Sequence, residues 1–161
     1  MEKTVGKSFS ALENVIFLKK TALFANVRTS ELRAIAGIAE EAVFETGSGI
    51  VKENDAGDSM YIIKEGRVTI TKKTSDNTPV DLAQLGAGEC FGEMSLFDDE
   101  ARSASAYAVT ACVMLRISRD DLIDALVEHP IIALELLKIF VKRLRKANAR
   151  IESQGSRIYE K

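Results

Sequence analysis

Seven of the ten glycines in this 161-residue chain fall between Gly47 and Gly92. That crowding constrains the fold more than any other feature, because glycine supplies the left-handed backbone of tight turns. The segments around these turns are short and strand-like, at 43–45, 50–51, 60–64, 67–72, 80–85, 103–108 and 113–117. Short strands joined by repeated tight turns suit an antiparallel closure. The fold class expected is mainly β with flanking helices: an antiparallel β jelly-roll barrel with N-terminal helices and a long C-terminal helix.

The flanks change period. Residues 11–20 carry Leu12, Val15, Ile16 and Lys19 at helical spacing, with Phe17 and Leu18 widening the stripe. A second helix is expected from a Thr29 or Ser30 cap through Leu32, Ile35, Ala36 and Ala39. After the barrel, Ser118-Arg119-Asp120-Asp121 forms a capping-box pattern that opens a third helix. His129-Pro130 interrupts it, since proline disfavours helix just before itself yet suits a first helical position. From Ile131 a long helix follows, with Leu137, Phe140, Leu144, Ala147 and Ile151 at three-four spacing. Residues from Ser153 on contain Gly155 and are expected to fray. The chain thus reads as one domain without a linker: helices over 11–41, a barrel over 42–117 and helices over 118–152.

Hydrophobic and charged fractions of 46% and 29% are those of a soluble globular protein. There is no apolar run of membrane-spanning length and no signal-like N-terminus, so a cytoplasmic location without membrane contact is expected. Cys90 and Cys112 sit in apolar surroundings and read as free thiols. A net charge of −2 gives no overall pull toward nucleic acid. The lone histidine, His129, reads as a surface or capping residue.

The chemistry concentrates in residues 91–105, Phe-Gly-Glu-Met-Ser-Leu-Phe-Asp-Asp-Glu-Ala-Arg-Ser-Ala-Ser. A short helix is expected just after Gly92, where unpaired backbone N–H groups and the dipole favour an anion. Arg102 supplies a permanently charged planar fork for phosphate oxygens, and Ser103 adds a hydroxyl. Glu93, an acceptor when ionised, suits a sugar hydroxyl. Each has a plainer reading too: Arg102 paired with Glu93 or Asp99, Glu93 as a first-turn acid, Gly92 as a turn residue.

Phe91, Gly92, Glu93, Ser95 and Leu96, then Arg102, Ser103 and Ala104, resemble the phosphate-binding cassette of cyclic nucleotide-binding domains. Gly47, Gly49, Gly57-Asp58, the Tyr61–Ile63 run, Gly66, Val68, Gly86 and Gly88 fall where that family places its turns and strands. The resemblance covers roughly residues 15–151 and implies a cAMP or cGMP ligand held by Phe91, Gly92, Glu93, Met94, Ser95, Arg102, Ser103 and Ala104. It implies that Ala104 packs under the ligand, while Tyr61, Ile63, Val68, Ile70 and Leu85 line the barrel. In the family the C-terminal helix folds over the base; here Ala147 and Asn148 stand where the catabolite-activator branch has hydroxyl residues. Asn148 keeps a group able to read a purine edge, and Arg143 can reach the phosphate side or a carboxylate.

The resulting expectation is a stand-alone cyclic nucleotide sensor that relays binding through its C-terminal helix to an unidentified protein partner or second subunit. A homodimer along Leu137, Leu144, Ile151 and Ile158 is a candidate, with the basic residues 138–150 read as a solvated helix face. The alternatives are an interaction module of the same fold that has lost its ligand, and the sensor fragment of a larger regulator. One histidine cannot build a cupin-like metal site, and no nucleophile, base and oxyanion set is present, so no enzymatic activity is expected. Catabolite activators place a winged helix-turn-helix after the long helix; the chain ends at Lys161, and direct DNA readout is not expected.

Overall fold

The computed structural model describes residues 3–5, 11–98 and 100–156, and the side chains of 11–98, 100–146 and 148–149 among them. In chain order the elements are β1 (Lys3–Val5), α1 (Ala11–Lys19), α2 (Thr29–Ile38), β2 (Glu40–Phe44), β3 (Gly49–Val51) and β4 (Ser59–Glu65). There follow β5 (Val68–Lys73), β6 (Pro79–Leu85), β7 (Cys90–Phe91), a 3₁₀ turn (Met94–Leu96), β8 (Ser105–Ala108), β9 (Cys112–Ser118), α3 (Arg119–Glu128) and α4 (Pro130–Ser156). The strands form two antiparallel sheets, ordered β1-β2-β9-β4-β7 and β3-β8-β5-β6. The jelly-roll expectation is met as two sheets with helices against one of them.

The alternation of strand side chains explains this layering. Ser59 to Ile63 of β4 are all buried, and successive residues serve different cores. Met60 and Ile62, opposite Ile117 and Leu115 of β9, face the helices. Tyr61 and Ile63 face the second sheet, where Ala42, Phe44, Val68, Phe91, Ala106, Ala108 and Met114 complete an inter-sheet core. A strand covered on both faces reads as a continuous apolar run. The expected lining residues Tyr61, Ile63 and Val68 lie in this core, with Ile70 and Leu85 packed against it.

The helical layer is built from Val15 and Leu18 of α1, Leu32, Ile35 and Ala36 of α2, Leu122 and Ala125 of α3, and Ile132, Leu136 and Ile139 of α4. One expected stripe is corrected here, and the core side of α4 is added. In α1 it is Asn14, Val15 and Leu18 that are buried, while Leu12 and Ile16 are exposed. In α4, Ile132, Leu136 and Ile139 face the core, and Leu137 and Leu144 are 58% and 61% exposed. Both helices have apolar residues on more than one side, so local spacing cannot choose which side the sheet covers.

Several boundaries shift for local reasons. Arg28 is the N-cap of α2 and no side chain caps it, so neither Thr29 nor Ser30 plays that part. The backbone turns extended at Ala39, and β2 begins at Glu40 because its pairing with β9 starts there, opposite Arg116. Ser118 caps α3, accepting a hydrogen bond from the Asp121 N–H. His129 ends α3, its N–H donating to the Ala125 carbonyl and its Nδ1 lying 2.7 Å from Glu31 Oε2. Helix α4 continues past the expected fraying point to Ser156; Ile158 lies outside the described residues.

Candidate functional site

The expected cassette folds into the end of β7, the 3₁₀ turn and the bend before β8, around a cavity of about 190 Å³. Phe91, Gly92, Glu93, Met94, Ser95, Arg102, Ser103 and Ala104 all line it. The helix expected after Gly92 is a single 3₁₀ turn, closed by Leu96 N–H to the Glu93 carbonyl at 3.3 Å and Phe97 N–H to the Met94 carbonyl at 3.1 Å. Three residues make too short a helix for a sizeable dipole, so the positive charge here is carried by Arg102.

Arg102 is 4% exposed and held by neutral acceptors. Its Nη2 donates to the Ser59 carbonyl at 2.6 Å, and its Nη1 donates to the Gly92 carbonyl at 3.2 Å and to Ser95 Oγ at 3.4 Å. Its backbone is pinned as well, N–H to the Asp55 carbonyl at 2.8 Å and carbonyl to the Asn54 N–H at 2.9 Å. Among the described residues its nearest carboxylate, Asp58, is 3.9 Å away and 74% exposed. Burial lowers the pKa of Arg102, with Tyr61 and Asp58 pulling the other way. The plainer reading, a salt bridge to Glu93, is not what the structure shows; Asp99 lies outside the described residues.

Two glycines are required by this packing. Gly92 has φ +80, and a Cβ there would stand 2.4 Å from Arg102 Nη1 and 3.1 Å from the Ser59 carbonyl oxygen. The absent side chain therefore admits the guanidinium as well as permitting the turn. At Gly57 a Cβ would meet Ser95 Cβ at 2.1 Å, so the loop before β4 closes directly onto the cassette.

Glu93 lines the cavity from the other side, and its Oε1 accepts from Arg143 Nη1 at 2.6 Å. Arg143 itself is not among the lining residues: it reaches the site from α4 through Glu93. The same arginine lies 6.0 Å over the Phe140 ring, and Phe140 meets Phe97 edge-on at 5.9 Å. Burial opposes its charge, but Cys90 and Glu93 outweigh that and hold its pKa above the ordinary value. Burial, helped by Glu93, pushes the Cys90 thiol up to about 11, which keeps it protonated at neutral pH.

Phe91 stacks on Tyr61 with centroids 5.4 Å apart, so it anchors the cassette to the inter-sheet core. Ser103 is exposed at the cavity and Ala104 half-buried beneath it. Ser105 is spent on structure, its Oγ accepting from the Glu53 N–H at 2.9 Å. Asn148 is exposed on α4 and does not line the cavity. The side chain of Ala147 is outside the described set.

Sequence reasoning missed Ser59, Val51 and Cys90, and gave Ile70 only as a barrel-lining position. Ser59 stands 43 residues from Arg102, and only the Gly57-Asp58 turn just before it hinted at a role. A larger cavity, about 550 Å³, lies beside Asp58, Glu100, Arg116 and Arg119 at the start of α3. Size favours that cavity, but the smaller one gathers a buried cation, a carboxylate and a free-edged hydroxyl, the polar set that fixes a ligand.

The model of the family described as the cyclic nucleotide-binding domain matches residues 41–129. The chain belongs to that family. Among curated proteins it is 30% identical over 131 residues to the CRP-like cAMP-activated global transcriptional regulator of Mycobacterium tuberculosis, covering 81% of this chain and 58% of that protein. Among solved structures it is similar to the N-terminal domain of a transcriptional regulator from Streptomyces coelicolor A3(2), with TM-score 0.73, 31% identity, and 86% and 94% of the two chains covered. A cyclic nucleotide-binding domain from Methylobacillus flagellatus KT gives TM-score 0.76 at 26% identity, covering 95% of this chain and 89% of the other. The chain thus spans less than two thirds of the curated relative's length.

Proposed function

We propose that this chain binds a cyclic nucleotide, cAMP or cGMP, and reports its occupancy through α4. The observation that carries the proposal is the buried Arg102, poised over Gly92 by carbonyl and hydroxyl acceptors at the edge of a cavity that Glu93 and Ser103 also line. A cyclic phosphodiester is a monoanion. It would take over the long 3.4 Å contact of Arg102 with Ser95 and add a charge-assisted pair, the stronger class of hydrogen bond. Glu93 would accept from the ribose hydroxyl, with Ser103 on the phosphate.

Arg143 ties the sugar side of the site to α4, so a ligand that draws on Glu93 acts on that helix too. The ligand biases α4 only by its affinity difference between the helix positions. The partner that receives the change is a protein or a second subunit, and the molecule works as a regulatory module in the cytoplasm. Isothermal titration with cAMP and with cGMP tests the reading: one of them binds at micromolar Kd or tighter. If neither does, an interaction module that has lost its ligand takes its place.

A further inference from the structure

A separate cavity of about 310 Å³ adjoins the cassette cavity, with Cys90 in the wall of both. Its lining includes Ala22 and Leu23 from the segment between α1 and α2, Leu85 and Glu89 from the turn between β6 and β7, and Arg143 from α4. That volume stands at the small end of ligand pockets, which run from about 300 Å³ upward and combine apolar walls with a few polar groups. Among the described lining residues Arg143 is the only cation and Glu89 the only carboxylate.

Both charged groups have an unused side. Arg143 donates through Nη1 to Glu93 Oε1 at 2.6 Å, while its Nη2 meets the Cys90 sulfur at 3.9 Å. A thiol is a weak acceptor, so that edge of the guanidinium fork is open to a better partner. Glu89 is exposed, and its Oε2 accepts from the Gly86 N–H at 2.8 Å, which leaves Oε1 for a donor in the cavity.

We propose that this cavity binds a small zwitterion, an α-amino acid with an aliphatic side chain. Its carboxylate lies on Arg143 Nη2, its ammonium on Glu89, and its side chain against Ala22, Leu23 and Leu85. The charges select this class. A bare carboxylate meets Glu89 together with an arginine that Glu93 already neutralises, and a bare amine meets Glu89 beside the guanidinium. The Cys90 thiol stays protonated at neutral pH and adds no charge. A zwitterion supplies a partner to each group and carries no net charge, so every charged group is paired.

The site does not depend on the nucleotide reading, but its consequence does. A carboxylate on Nη2 shares the guanidinium with Glu93. If Glu93 takes the ribose as proposed above, this sharing frees it, and amino acid and nucleotide raise each other's affinity by the same factor.

The test uses the full chain without nucleotide, L-leucine as the probe, and NMR of the isotope-labelled protein. Leucine saturates at about millimolar Kd or tighter, as suits so few atoms, and moves the signals of Leu23, Glu89 and the Arg143 side chain. Isocaproate, the same skeleton without its amine, and isopentylamine, without its carboxylate, bind about tenfold more weakly or worse. Glu89→Gln keeps an acceptor for Gly86 but loses the charge, and it weakens leucine to a similar extent with the melting temperature of the parent. The assignment is overturned if leucine fails to saturate, if isocaproate binds as well as leucine, or if Glu89→Gln leaves leucine binding intact. A chain that binds leucine but neither cAMP nor cGMP upholds the site and sinks the nucleotide reading alone; a nucleotide Kd unmoved by saturating leucine removes the coupling.

Discussion

The cassette and the long helix each contribute an arginine to the site, and the two are held in opposite ways. Arg102 is buried and rests on the neutral oxygens of Ser59, Gly92 and Ser95. Arg143 is 44% exposed and pairs with a carboxylate, Glu93, at 2.6 Å. A cation held mainly by dipoles, with its nearest described carboxylate the exposed Asp58 at 3.9 Å, keeps most of its charge available to an anionic ligand. One already neutralised by a carboxylate offers a ligand little, but it couples whatever the carboxylate does to its own helix. Under the proposed function, that difference would put binding strength in the cassette and signal in α4.

The sharpest way to break that division is Arg102→Ala, expected to cost about 2–5 kcal/mol of nucleotide binding, a loss of about 30-fold to several thousand-fold. Titration calorimetry reads it directly, and an unchanged Kd would end the assignment; Arg102→Lys keeps the charge but not the fork and should recover only part of the loss.

Next in size is Gly92→Ala. It forces an L side chain to φ +80 and sets a methyl 2.4 Å from the guanidinium, so about 1–3 kcal/mol of folding stability should go with the strain. Urea unfolding measures this, and a variant as stable as the parent would mean that the turn relaxes.

Cys90, 3.9 Å from Arg143, probes the helix side through pH. Its pKa rises from 9.0 to about 11 on folding. Above pH 9 the unfolded chain loses this proton while the folded one keeps it, so the folded state binds more protons and stability falls as pH rises from 9 to 11. The contribution is about 3 kcal/mol at most. The difference in melting temperature between parent and Cys90→Ala should shift across that window, and a constant difference would place the thiol in a wetter setting.

The smallest effect expected is that of Arg143→Ala. A half-exposed ion pair is worth about 1 kcal/mol or less, so stability should drop slightly and Kd should move far less than in Arg102→Ala. If the two substitutions weaken binding equally, the contrast between the arginines fails.

Much of this was legible in the order of residues. The cassette lies within one stretch of chain, and its members are close in space because they are close in sequence. Phe91 through Ser95, Ser103 and Ala104 therefore line the cavity as expected. The capping of α3 and its end at His129 were legible for the same reason. What failed crossed long distances or depended on facing. Ser59 reaches Arg102 across 43 residues, and no local pattern announces a carbonyl as the seat of a guanidinium. Leu12 and Ile16 joined the α1 stripe by spacing, yet Asn14, Val15 and Leu18 took the core side.

By itself the sequence determined the strand-and-turn character of residues 42–117, the grouping of the cassette residues around one cavity, and the family to which the chain belongs. Turn glycines, caps and alternation act over a few bonds, so they survive without knowledge of the rest. Only the tertiary structure decided that Arg102 is cradled by neutral oxygens, that Glu93 is already engaged by α4, and which side of α4 is left open. Those outcomes depend on how separate elements pack, and packing is set by the whole core at once.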